Sequence, residues 1–103
     1  MAREKLQTLS EPMYYILLAL MEERCGVDIM KEVERISNGR ISVGPGTLYA
    51  LLDKFMEEKI IIETKVEGRK RSYIITEYGI TVLKKEMERI SSMLDEGKRI
   101  LER

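Results

Sequence analysis

Residues 13–21, MYYILLALM, form an apolar run with no polar interruption. A helix apolar nearly all round is buried on several sides. Ser10-Glu11-Pro12 supplies its start: a capping hydroxyl, an early acid and a proline in the first turn. The run is expected to stop near Cys25-Gly26, with Gly26 at the left-handed C-terminal position. A second helix is expected from Asp28 to about Ile36. Ile29, Val33 and Ile36 fall at steps of four and three with Met30 beside them, while Lys31, Glu32, Glu34 and Arg35 cover the other side. Ser37-Asn38-Gly39 signals a turn. A third helix begins near Pro45, with Ser42 as a candidate cap. Leu48, Leu51, Leu52, Phe55 and Met56 follow i, i+3, i+4, i+7, i+8 and make one apolar stripe. Gly46, Thr47, Ala50, Asp53, Lys54 and Glu57 lie opposite, with Tyr49 on the flank.

The period then changes. Residues 60–66 alternate, with Ile60, Ile62, Thr64 and Val66 on one strand face and Ile61, Glu63 and Lys65 on the other. Glu67-Gly68 turns the chain, and residues 72–75 return with Tyr73 and Ile75 on one face. Thr76 caps a long last helix. Its Ile80, Leu83, Met87, Ile90 and Leu94 are spaced 3, 4, 3, 4, as in the seam between two paired helices. Gly97 costs that helix about 1 kcal/mol. A short amphipathic helix running into a basic two-stranded hairpin has the layout of a winged helix-turn-helix. The fold expected is mainly α with a small β-hairpin: a winged helix-turn-helix over residues 1–76 and a C-terminal dimerisation helix over 77–103, as one structural unit.

The chain has 103 residues, with 18 basic and 18 acidic side chains. That neutrality is uneven. Residues 1–39 carry five basic and seven acidic groups, residues 40–76 seven and five, and residues 77–103 six of each. The positive excess falls on the hairpin, where Lys65, Arg69, Lys70 and Arg71 cluster, and local charge decides how a surface meets phosphate. With no histidine and one cysteine, Cys25, a typical zinc site and an intrachain disulfide are both excluded. No metal or cofactor is expected. There is no glycine-rich phosphate loop of known spacing and no nucleophile motif, so an enzyme is not expected. Residues 1–9 carry both charge signs and no apolar core, so no signal peptide is read there. The longest apolar run is too short for a membrane span. A cytoplasmic protein is expected.

Two readings attend each candidate site. The third helix could read the major groove through Thr47, Ala50 and Lys54, with Tyr49 on a phosphate or sugar, or it could be an ordinary amphipathic surface helix. Backbone N–H groups at Gly44-Pro45-Gly46 could seat a phosphate. Arg69, Lys70 and Arg71 could hold a phosphate backbone or enter a minor groove, or could be solvated turn charges. The terminal stripe could meet a partner helix or fold back on its own domain. The methionines could line an adaptable pocket or fill the core. Tyr14 and Tyr15 could border a cavity between protomers or be buried.

At GPGTLYALLDKFMEEKIII…GRKRSYIITEYG the sequence resembles the PadR family of transcriptional regulators. The resemblance covers almost the whole chain. Its most specific part is Gly46-Thr47-Leu48-Tyr49, followed by Leu52 and Phe55. The basic hairpin closes on Tyr73-Ile74-Ile75-Thr76 and Gly79. The single C-terminal helix looks like the small subgroup of that family. The resemblance implies a homodimer that binds double-stranded DNA and represses transcription, released by a small aromatic or drug-like effector. Carried over by position, Thr47 and Tyr49 belong to the recognition helix and Arg69, Lys70 and Arg71 to the wing; Lys54 is added from the helix face. Val27 stands where the family usually has an aromatic residue, and Lys59 where a glycine usually ends the recognition helix. Without tryptophan, an effector would be held by Tyr, Phe or Met. The alternative from another class is a winged-helix dimeric protein-interaction module without DNA binding.

Overall fold

The computed structural model describes residues 8–103. The absence of a leader was read from residues that, apart from positions 8 and 9, lie outside the described residues. The order of elements is α1 (Glu11–Ala19), β1 (Arg24–Cys25), α2 (Gly26–Ile36), α3 (Pro45–Glu57), β2 (Ile61–Glu67), β3 (Lys70–Ile75) and α4 (Glu77–Leu101).

Ser10 caps α1 as expected. Its hydroxyl accepts from the Met13 amide at 3.4 Å, and the Met13 sulfur receives the Ser10 amide. Met13, Ile16, Leu17 and Ala19 turn inward, and Leu20 follows them into the core. The end of α1 differs from expectation. The helix stops before Leu20, and Gly26 is instead the first residue of α2, outside the left-handed region. Other groups satisfy the last carbonyls of α1. Arg24 Nε donates to the Ala19 carbonyl at 2.8 Å, and the Ile75 amide donates to Leu20 at 2.9 Å.

Ile29 and Val33 carry α2 into the core, and the turn after it has Asn38 and Gly39 at positive φ. Gly44, not Ser42, caps α3; the Ser42 hydroxyl donates to Glu34 Oε2 at 2.9 Å, out of reach of a capping role. Leu48, Leu52 and Phe55 are fully buried, with Leu51 and Met56 packed against them.

Lys59 leaves α3 in the left-handed region, φ 63°. A non-glycine residue there costs roughly 1–2 kcal/mol. Ile60 is therefore part of this turn and not the first strand residue, its amide donating to the Phe55 carbonyl at 2.8 Å. Ile60 and Ile61 are both buried, which breaks the expected alternation at its start.

A β-bulge between Glu63 and Lys65 breaks it again. Ile62 pairs with Ile74, whereas Val66 pairs with Arg71. Because one extra residue moves every later side chain to the other face, Ile62 and Val66 lie on opposite faces and not on one. The sheet also has a third strand. The order is β1-β3-β2, with Arg24 opposite Tyr73 and Cys25 opposite Ser72. A two-residue strand carries no readable period, so this strap was not legible.

Thr76 caps α4, accepting from the Gly79 amide at 3.0 Å and donating to the Lys59 and Ile60 carbonyls. The stripe on α4 divides. Leu83, 4% exposed, and the half-buried Ile80 join the core of their own domain; Met87, Ile90 and Leu94 are exposed. Glu86 is buried between the two parts. It accepts the Leu9 amide and holds a two-pronged ion pair with Arg89. That pairing outweighs burial and holds its carboxyl below the ordinary range. The contact ties the start of α1 to α4.

Candidate nucleic-acid interface

The buried stripe of α3 fixes what the helix shows outward. Thr47, Ala50, Asp53, Lys54 and Glu57 are exposed, as is the loop-to-helix start at Gly44-Pro45-Gly46. Ala50, Asp53, Lys54 and Glu57 line one shallow depression, so the Lys54 charge stands among two acids.

Tyr49, 43% exposed, leans from α3 toward the first turn of α2. Its hydroxyl lies 2.1 Å from where a Cβ on Gly26 would stand. Gly26 thus leaves room for the close approach of the Tyr49 hydroxyl, and its backbone angles alone do not call for glycine.

The wing closes the other side. Gly68 at φ 64° makes the tight turn, and Arg69, Lys70 and Arg71 line the same open cleft as Cys25, Gly26, Val27, Asp28 and Tyr49. The cleft holds about 420 Å³. Arg71 is steadied across the hairpin by Glu63 at 3.0 Å. On the same face, burial and the Glu63 carboxylate push the Tyr73 phenol up. The structure therefore brings together Tyr49, Arg69, Lys70 and Arg71. Thr47 and Lys54 stand on the outward face of α3 and do not line that cleft.

The sequence reading missed the first turn of α2. Backbone N–H groups at a helix start, beside three cations and a phenol hydroxyl, suit an anion. Asp28 belongs to the same turn, and its carboxylate receives the Cys25 thiol at 3.4 Å. The signal that could have found this turn is Gly26 itself, since a glycine just before an amphipathic helix also marks close approach.

A second cleft, of about 390 Å³, separates α1 from α4 and is lined by Leu9, Ser10, Glu11, Tyr14, Tyr15, Glu86, Arg89 and Ile90. Tyr14 and Tyr15 are half-buried there, edge to face at 5.5 Å. Among the described residues no group of His, Cys, Asp or Glu could hold a metal ion, and no helix is long and apolar enough to cross a membrane.

Helices α2 and α3 joined by a turn, a hairpin beside α3 and a short strap strand define a winged helix-turn-helix protein. Residues 16–85 match the transcriptional regulator PadR-like family, and the chain belongs to that family. Its members are transcriptional regulators and not enzymes. The chain is 30% identical over 71 residues to the transcriptional regulator YqjI of Escherichia coli (strain K12). The match takes in 69% of this chain and 34% of that protein, so the chain spans about a third of its curated relative. In structure it is similar to RosR of H. salinarum, with a TM-score of 0.69 at 25% identity, covering 89% of this chain and 86% of that one. A PadR-like transcription factor of B. fragilis is similar too, with a TM-score of 0.65 at 25% identity over 88% and 87%.

Proposed function

We propose that this chain is a cytoplasmic, homodimeric regulator that binds double-stranded DNA sequence-specifically and represses transcription until a small effector releases it. The observation that supports this reading is the cleft that gathers Arg69, Lys70, Arg71, Tyr49 and the first turn of α2 beside the outward face of α3. In this reading a backbone phosphate enters the cleft. Thr47 and Lys54 then meet base edges or neighbouring phosphates in the major groove. The small, weakly polar start of α3 allows that close approach. The free apolar part of α4, centred on Met87, Ile90 and Leu94, holds two copies together, while Ile80 and Leu83 brace the helix on its own domain. Two recognition helices then meet half-sites about one DNA turn apart, roughly 34–36 Å. The cleft beside Tyr14 and Tyr15 suits a small aromatic or drug-like effector, since it joins aromatic walls to one end of the dimer helix.

The test is binding to a duplex carrying the DNA upstream of the protein's own coding region, against a scrambled duplex of equal length. Preference of about tenfold or more for the first, with both affinities falling as salt rises, is the expected result. Equal and weak binding to both at low salt, with a tight protein partner recovered instead, would favour the protein-interaction module.

A further inference from the structure

The outward side of α3 carries an acid beside a base. Asp53 and Lys54 are both exposed, and among the described residues neither side chain forms an ion pair. Adjacent residues of a helix do not face each other, so the two do not neutralise one another. A carboxylate on a surface that meets phosphate works against binding. Its place on the helix is nonetheless well defined. With about 100° per residue, Leu48, Leu52 and Phe55 mark the buried side, and Gly46 and Ala50 run down the middle of the opposite one. Thr47 and Lys54 fall on one flank of that smooth line, and Tyr49 and Asp53 on the other. Burial and Glu63 are the larger causes of the raised Tyr73 phenol, and the Asp53 carboxylate adds to them, which sets Asp53 on the wing side of α3.

A carboxylate only accepts hydrogen bonds and an ammonium only donates them. In the major groove cytosine offers its N4 amino donor, and the paired guanine offers the O6 and N7 acceptors. A C·G pair thus sets a donor beside acceptors, in complement to Asp53 and Lys54. An A·T pair suits them less well. The adenine amino group lies between two acceptors, its own N7 and thymine O4, and both repel a carboxylate.

We infer that Asp53, with Lys54 beside it, selects a C·G base pair: the Asp53 carboxylate accepts from cytosine N4, and the Lys54 ammonium donates to guanine O6 or N7. The inference rests on the DNA-binding reading above and adds the base pair that is read. Gly46 and Ala50 let the helix backbone approach closely, so that a side chain as short as aspartate reaches a base edge. Asp53 stands about 9 Å along the helix from Thr47, so the two face positions about three base pairs apart.

Selection from a library of random duplexes by the full chain, followed by affinity measurements on the selected site, tests this. The wild-type chain should enrich a site with a C·G pair at one fixed position, and replacing that pair should weaken binding about tenfold or more. Asp53→Ala should remove the preference at that position and leave the others unchanged. Asp53→Asn should move it from C to A, because a carboxamide makes two hydrogen bonds with adenine N6 and N7. Asp53 is exposed, so neither change is expected to disturb folding. Two results overturn the inference while leaving a sequence-specific DNA binder. One is a selected site without a fixed C·G pair. The other is an unchanged selected site in both variants, with every duplex bound more tightly by the same factor, which would mean that the carboxylate acts only by repelling phosphate. A wild-type chain that enriches no sequence overturns the DNA-binding reading on which the inference rests.

Discussion

Gly79→Ala is expected to lower the unfolding free energy by about 3 kcal/mol or more, the upper end of what forced overpacking costs. A Cβ at this position would stand 2.3 Å from the Ile60 carbonyl oxygen and 2.6 Å from Ile75 Cγ1. Neither obstacle can yield cheaply. The Ile60 carbonyl already accepts the Thr76 amide at 2.9 Å and the Thr76 hydroxyl at 3.0 Å, and Thr76 caps the helix that Gly79 enters. Moving α4 outward would break that junction and pull Leu83 from the core. A domain of this size has only about 5–15 kcal/mol in total. Chemical denaturation of the variant against the wild-type chain measures the loss. A difference within about 0.5 kcal/mol, the range of a neutral surface change, would contradict this packing.

Gly26→Ala is expected to act on DNA binding with little effect on stability. The added Cβ meets the hydroxyl end of Tyr49 at 2.1 Å, the far end of a side chain free to swing away. Alanine also suits the first turn of α2 better than glycine does. The displaced Tyr49 leaves the cleft that it shares with Arg69, Lys70 and Arg71. Loss of that contact, with the α2 start partly covered, is expected to weaken duplex binding about tenfold, or roughly 1.4 kcal/mol. Tyr49→Ala should cost a similar amount. The double variant should cost no more than either, because both changes remove one arrangement. Wild-type affinity in Gly26→Ala, or full additivity in the double variant, would remove Tyr49 and the α2 start from the interface.

The contrast between these two glycines shows where the sequence was legible and where it was not. Periodicity and capping identified α1 at Ser10, the buried stripe Leu48, Leu52 and Phe55 of α3, and the Thr76 start of α4, because each is a local property of neighbouring residues. Gly26 was misread as a helix end since its role depends on Tyr49, twenty-three positions away. The strand β1 escaped for the same reason: two residues become a strand only where β3 passes. The bulge at Glu63 and Lys65 changes the face of Val66 without any turn residue to announce it. Lys59 takes a left-handed angle that a lysine does not advertise. Of the candidate site, the wing cations were legible from charge alone, whereas their meeting with Tyr49 and the first turn of α2 was set by tertiary packing. The α4 stripe read as one seam, but its first turns are held by the domain and only the rest is free.

The central claim is that the wing and the cleft behind it hold DNA phosphates. The most direct measurement is the salt dependence of duplex affinity for the wild-type chain and for Arg69→Ala/Arg71→Ala. Each phosphate contact contributes about −0.9 to the slope of log affinity against log salt. The double variant should bind specific and scrambled duplexes more weakly by a similar factor, with a slope shallower by about 2 per protomer. An unchanged affinity and an unchanged slope would contradict the account.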